Sequence, residues 1–255
     1  MMSSNKPPKT PKLKFNASLE FSHIPPFQDI FFERIPVLHG FQIAIANYLR
    51  SERQKKLLNP WGDFFWSKGV RRLGTFNAVE CGVFTGSSLI ACSKYAQESG
   101  VPFKMLGLDT FAGLPPLSEQ DKQFAPADAT YLTKTLFTET SLAGVQALVD
   151  KAGLSDSVEL REGLFSQTLP TLDERRYHYV NIDCDLFEPH IECLEYFYPR
   201  MVPGGVIFFD DYNSINYPMA GKAIDQFFAD KPETLAQLRY GDDAPNRTKA
   251  YVVKY

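Results

Sequence analysis

From Thr75 onward the chain alternates short apolar runs with helical stretches, and this alternation most limits how it can fold. The runs that read as strands are Phe76–Cys81, Lys104–Asp109, Ser157–Arg161, Tyr179–Asp183 and Val206–Asp210. Helical periodicity falls between them, near Ser87–Gln97, Ser141–Ala152, Pro189–Tyr198 and Ala220–Phe228. Strands and helices in this order predict an α/β fold with a mostly parallel, doubly wound sheet. Two further runs, Ala236–Tyr240 and Ala250–Tyr255, are joined by GDDAPNRT. That length and turn chemistry predict an antiparallel hairpin at the sheet edge.

Two segments of different character precede this unit. Residues 1–14 mix Pro, Ser and Lys with almost nothing to bury, and are expected to be a flexible tail. Residues 15–74 are rich in aromatic side chains. A helical period begins after Pro36, ends at Pro60, and puts Phe41, Ile45, Tyr48 and Leu49 on one face. A second short helix is expected around Trp61–Lys68. Lying ahead of the first strand, these elements are expected to form a helical cap or an oligomer interface. The α/β domain then spans 75–255. Within it, residues 110–140 are too long for an ordinary connection. They leave the carboxyl end of a strand, where open α/β sheets bind ligands, so they read as a substrate-side lid.

Composition excludes several classes of function. With 255 residues, 44% hydrophobic and 22% charged, the chain can bury a core without disulfides or a structural metal. A net charge of -3 offers no basic field for nucleic acid. No apolar run approaches the roughly 20 residues that span a bilayer, so no membrane segment is expected. Cys81, Cys92, Cys184 and Cys193 form no C-x-x-C pair and read as buried thiols in a reducing compartment. The first residues, MMSSNKPPKTPKLK, carry no apolar signal region, so a cytoplasmic location is expected.

The first strand-to-helix turn reads AVECGVFTGSSLIA. Its glycines, Gly82 and Gly86, are spaced G-x-x-x-G, and Phe84 stands where a dinucleotide fingerprint needs its second glycine. Glu80 at the strand end would repel a pyrophosphate but favour a ligand with a positive centre. These features point to S-adenosylmethionine, with its ammonium and sulfonium. Ser88, in the first helical turn, could help free N–H groups hold the methionine carboxylate. Asp109 ends the next strand, roughly twenty residues further on, where an acid can accept from ribose hydroxyls; the lesser alternative is an acid that only starts the Thr110 turn. The third strand leads into REGLFSQTLP, where Gly163 allows close backbone approach and Phe165 and Ser166 could flank an adenine. A plain strand–turn–helix accounts for that run almost as well.

The most specific constellation is VNIDCDLF together with GGVIFFDDYN. Asp183 and Asp185 are two apart, so on an extended chain they point the same way. Asp210 and Asp211 end the following parallel strand, about 5 Å away. Four carboxylates in one small volume would raise one another's pKa values unless a hard divalent cation, such as Mg²⁺, relieves them. Asp185 could instead cap the helix near Pro189, but capping does not call for four acids at two neighbouring strand ends. A cation there would acidify an acceptor hydroxyl, and Asp185, if not itself a ligand, is placed to remove the proton.

The run VECGVFTGSS, then LGLDTFAGLP, then IDCDLFEP with YPRMVPGGVIFFDDY, resembles the macrocin O-methyltransferase family of the TylF, MycF and NovP type. The likeness covers roughly Phe76 to Phe228. It implies the class I methyltransferase fold, a seven-stranded sheet with a reversed final strand. It also implies Mg²⁺- and S-adenosylmethionine-dependent methylation of sugar or related hydroxyls in natural-product biosynthesis. Matching motif to motif, it puts metal ligands on Asp183, Asp210 and Asp211 and a general base on Asp185. The cofactor contacts it implies are Glu80, Gly82, Val83, Thr85, Gly86 and Ser88 in the turn, with Asp109 and Thr110 at the ribose. Gly163, Phe165, Ser166 and Asp183 complete that set. Two positions depart: Phe187 stands where a Tyr is frequent, and Ala112 where a Glu is frequent. Family members are often dimers or larger, so a homo-oligomer with a small-molecule hydroxyl acceptor is the implied state.

His190 lies just beyond the paired aspartates but, alone on a helix, reads more readily as structural. His23 would meet the acceptor only if the cap folded over it. Two rival classes remain: a metal-dependent D-x-D glycosyltransferase, and a non-catalytic scaffold on the same fold. The glycosyltransferase has no need of Glu80 and the glycine turn, and four aspartates are costly for an idle protein to keep.

Overall fold

The computed structural model describes residues 31–57, 74–127, 129–133, 136–239 and 248–255. The expected tail (1–14), the short helix at Trp61–Lys68, His23 and the turn at 240–247 lie outside the described residues.

The elements follow in the order α1 (Phe31–Leu57), β1 (Phe76–Cys81), α2 (Ser87–Glu98), β2 (Phe103–Asp109), α3 (Glu119–Phe124) and α4 (Leu142–Lys151). Then come β3 (Val158–Glu162), α5 (Phe165–Thr168), β4 (Tyr177–Ile182), α6 (Phe187–Phe197), β5 (Met201–Phe209), α7 (Pro218–Phe228), β6 (Ala236–Arg239) and β7 (Thr248–Val253). The strands make one seven-stranded sheet in the order β3-β2-β1-β4-β5-β7-β6. β1 to β5 run parallel, while β7 is antiparallel to both β5 and β6. The expected edge hairpin is therefore present, with β7 inserted beside β5. The direction of winding reverses between β1 and β4, and that reversal opens a crevice at the strand ends.

Side-chain alternation along the strands divides the core in two. Ala78, Met105, Tyr179 and Phe208 face α1, α2 and α4. Val79, Leu106, Val180, Ile207 and Phe209 face α6 and α7. The N-terminal helix belongs to the first of these layers. Val37, Phe41, Ala44, Ile45 and Tyr48 are buried in the domain core, with Phe41 packed edge-on against Phe76 and Tyr179. The Tyr48 hydroxyl donates to the Gly74 carbonyl and Asn47 Nδ2 to the Gly204 carbonyl. The apolar face of Phe41, Ile45 and Tyr48 thus packs on the sheet itself.

Two boundaries differ for local reasons. α1 begins at Phe31 and contains Pro36, rather than starting after it. β5 begins at Met201, five residues before the apolar run, because the Pro-Gly-Gly stretch pairs with β4 through a register shift at Tyr177/Tyr179. Gly204, with φ of 80°, absorbs that irregularity. Among the described residues, no helix is long and apolar enough to cross a membrane.

Candidate active site

The carboxyl ends of the parallel strands open into one cavity of about 500 Å³. Residues following β1, β2, β3, β4 and β5, together with the start of β7, line it.

The glycine turn forms one wall. Gly82 has φ of 90°, and a Cβ there would lie 1.7 Å from the Asp183 carbonyl oxygen, so no other residue fits at the crevice. Its N–H donates to the Leu108 carbonyl at 2.9 Å. Asp109 holds the turn in place. Its Oδ2 accepts from the backbone N–H of Val83 (2.7 Å) and Phe84 (2.8 Å), and its Oδ1 from that of Phe111 (2.7 Å). The Thr110 hydroxyl lies 3.5 Å from Oδ1 as a fourth, longer contact, and Asp109 lines the cavity. Thr110 also lines the cavity and donates its hydroxyl to the Gly113 carbonyl at 2.6 Å. Gly163, with φ of 140°, donates to the Asp109 carbonyl at 2.9 Å, and Phe165 and Ser166 complete this side.

Four residues expected to touch the cofactor do not line the cavity: Glu80, Thr85, Gly86 and Ser88. Glu80 is 2% exposed; its Oε1 accepts from the Ser88 hydroxyl and from Asn181 Nδ2 (2.8 Å). This buried cluster ties β1, α2 and β4 together beneath the turn. Gly86 is the left-handed cap of α2, where a Cβ would press on Val145. Glu80, Gly86 and Ser88 support the turn from behind, because the strand's alternation points Glu80 into the core.

Acids line a second side of the cavity. Asp183, Asp210 and Asp211 each offer a ligand oxygen, all within 4.8 Å of one another. Asp185 was expected on an extended run beside Asp183. Instead β4 ends at Ile182 and Asp185 sits at φ of 61°, a left-handed conformation that Asp tolerates. Its N–H donates to Asp211 Oδ2 at 3.0 Å, which brings the fourth carboxyl to the same corner. Burial, followed by the charges of Asp211, Asp183 and Asp210, holds the Asp185 carboxyl well above the usual range. The corner suits a hard divalent cation: three oxygens converge, and Asp210 Oδ1 is buried with no hydrogen-bond partner among the described residues.

Lys249, which the sequence reading passed over, also lines the cavity, with Nζ 2.5 Å from Asp210 Oδ2. Burial acts to lower its pKa, but Asp210, Asp211 and Asp183 outweigh that and raise it above the ordinary lysine value. Its signal was present as a charged residue opening an apolar strand, TKAYVV. Reading that signal required knowing that β7 lies beside β5.

The lid has structure of its own. α3 is closed by a capping box between Ser118 and Asp121. Asp121 is 1% exposed, and its Oδ1 accepts from the Phe187 N–H at 2.7 Å, capping α6. The segment is therefore pinned to the helix that follows the paired aspartates. Leu114, Pro115, Pro116 and Phe137 give the cavity an apolar wall, and Phe137 packs edge-on to Phe84. His190 is buried behind this site, with Nδ1 2.7 Å from the Leu186 carbonyl and 3.4 Å from Cys184 Sγ. Burial lowers its pKa to about 4, so it is a neutral core residue.

Comparison with known proteins agrees with this geometry. The chain is 29% identical over 139 residues to mycinamicin III 3''-O-methyltransferase of Micromonospora griseorubida, covering 53% of this chain and 55% of that protein. It is 29% identical over 136 residues to 8-demethyl-8-(2,3-dimethoxy-alpha-L-rhamnosyl)-tetracenomycin-C 4'-O-methyltransferase of Streptomyces olivaceus, covering 52% of each. The chain thus spans about half the length of these curated relatives. Among solved structures it shares its fold with the O-methyltransferase NovP, at a TM-score of 0.59 and 21% identity over 82% of this chain and 79% of that one. The calicheamicin methyltransferase CalS11 superposes at 0.56, with 19% identity over 84% and 91%. The profile of the TylF macrocin-O-methyltransferases matches residues 74–236, from the first strand through the acidic corner to the last helix. That is more than half of the chain, which belongs to the macrocin-O-methyltransferase family.

Proposed function

We propose that this chain is a Mg²⁺-dependent O-methyltransferase that uses S-adenosylmethionine to methylate a hydroxyl of a sugar or related small molecule in natural-product biosynthesis. The observation that carries this is the convergence of Asp183, Asp210 and Asp211 in the same cavity as the glycine turn and Asp109. The relatives' names support the reaction, and the rhamnosyl group in one of them supports a sugar hydroxyl.

In this reading the cofactor occupies the Gly82–Phe84 side. Asp109, which lines the cavity, faces the ribose, while Phe165 and Ser166 flank the base. The Gly82 backbone can approach closely because it carries no side chain. Asp183, Asp210 and Asp211 hold the divalent ion, which when bound supplies a positive centre that acidifies a neighbouring hydroxyl. Asp185, brought to the same corner by its N–H bond to Asp211, takes the hydroxyl proton, and a bound cation would offset the carboxylate charges that oppose its ionisation. S-adenosylmethionine bound there would supply the methyl group, its S–CH3 bond breaking as the acceptor oxygen bonds to the methyl carbon and S-adenosylhomocysteine leaves, so the residues' task is proximity and alignment. The lid's apolar wall of Leu114, Pro115, Pro116 and Phe137 excludes water and bounds the acceptor. The D-x-D glycosyltransferase reading gains nothing from a turn held by Asp109.

Calorimetric titration with S-adenosylhomocysteine, in Mg²⁺ and in EDTA, tests the class. Micromolar binding is expected in both, and an acceptor screen among sugar and phenol hydroxyls should show turnover only with Mg²⁺. Absence of binding in both conditions would overturn the reading.

A further inference from the structure

Lys249 reaches the acidic corner through the sheet register. β7 runs antiparallel to β5 with Phe209 opposite Ala250, so the next residues along, Asp210 and Lys249, come together at the sheet's ligand-binding edge. Nζ lies 2.5 Å from Asp210 Oδ2, and each side chain is only 13% exposed. The other Asp210 oxygen is buried without a hydrogen-bond partner among the described residues. Asp210 therefore divides its oxygens, one taken by the ammonium and one left for a cation.

We propose that Lys249 is a resident counter-cation of the carboxylate corner, holding Asp210 by one oxygen and setting how tightly the corner takes a divalent ion. The proposal rests on the cation reading above. Charge bookkeeping gives its logic. Asp183, Asp210 and Asp211, all facing Lys249, carry three negative charges, and the ammonium leaves two, the complement of one divalent ion. Without the lysine, the loaded corner would keep an excess negative charge where the acceptor hydroxyl must lose its proton. Before loading, the ammonium offsets the repulsion that three close carboxylates exert on one another. The same ammonium opposes an incoming cation at close range, so it weakens binding and keeps the ion exchangeable. Lys249 thus acts through Asp210 and the ion as a positioning residue.

The sign of the effect separates this role from packing. If Lys249 only packed Asp210 in place, its loss would misplace a ligand and weaken cation binding. As a counter-cation, its loss tightens binding. The test is calorimetric titration of Mg²⁺, and separately Mn²⁺, into the metal-free protein without acceptor. Wild type is compared with Lys249→Met, which keeps the length and removes the charge, and with Lys249→Arg, which keeps the charge. Lys249→Met is expected to bind both ions at least tenfold more tightly, and Lys249→Arg within about threefold of wild type. Lys249→Gln, which retains a donor to Asp210, should shift in the same direction as Lys249→Met and serves if that variant does not fold. Equal or weaker binding in the neutral variants overturns the lysine's role while leaving the cation site standing. No binding in wild type or any variant overturns the cation reading and this proposal with it.

Discussion

The two walls of the cavity are built on opposite principles. On the glycine side hydrogen bonds within the fold hold the wall: Asp109 accepts three backbone N–H groups and Glu80 accepts from Ser88 and Asn181, although Thr85 Oγ1 and Asn181 Oδ1 are buried without a hydrogen-bond partner among the described residues. On the acidic side like charges are gathered, with Lys249 as the cation beside them and a buried Asp210 oxygen left over. The first wall contributes stability as well as function. The second works against stability and is retained for what it binds. A wall held by neutral backbone donors suits a cofactor with many neutral contacts, whereas a charge-unbalanced wall suits an ion.

Substitutions on the two sides should therefore behave differently. Gly82→Ala should have the largest effect, because a Cβ would overlap the Asp183 carbonyl oxygen at 1.7 Å. A loss on the order of 4 kcal/mol or more is expected, read as a large fall in melting temperature. A near-normal melt would mean that the crevice is looser than described.

His190 lies beneath the acidic wall, and its effect appears only in acid. Its pKa is lowered to about 4 by burial, against about 6.5 when unfolded. A depressed value in the folded state means that stability present above pH 6.5 is lost as pH falls toward 4. The amount is roughly 3 kcal/mol. Denaturant melts at pH 7 and pH 4 should show this loss in wild type and a smaller one in His190→Gln. Equal slopes would remove His190 from the acid response.

Asp109→Ala should cost about 2–3 kcal/mol, because three backbone donors lose their acceptor, and should weaken S-adenosylhomocysteine binding at least tenfold. Weakened binding with unchanged stability would make Asp109 a ligand contact alone and blur the contrast between the walls. Asp210→Asn should show the smallest change in stability. In metal-free buffer it should melt within about 1 kcal/mol of wild type, because lost pairing with Lys249 is offset by relieved repulsion. Its turnover should nonetheless fall by at least a hundredfold.

The sequence was most legible where one residue type does one local job. Strand–helix alternation located the sheet, and acids at two successive strand ends located the corner. The resemblance then supplied the count of seven strands and the reversed last one. Glu80 was read as a ligand contact from its charge, whereas strand alternation turns the side chain inward to Ser88 and Asn181. Asp185 was placed on an extended run, whereas a left-handed turn brings it to Asp211. Lys249 and Asp121 were missed for a shared reason. Each meets its partner across a distance that no local pattern encodes: Lys249 through β7's insertion beside β5, and Asp121 through a lid helix that caps α6.

The central claim is that the acidic corner is a cation site serving a cofactor bound by the other wall. Titration of Mg²⁺ into the S-adenosylhomocysteine complexes of wild type and Asp210→Asn tests it most directly. The account predicts one Mg²⁺ per wild-type chain, loss of that binding in the variant, and the same S-adenosylhomocysteine affinity in both. Equal Mg²⁺ binding by the two proteins, or none by wild type, would contradict it.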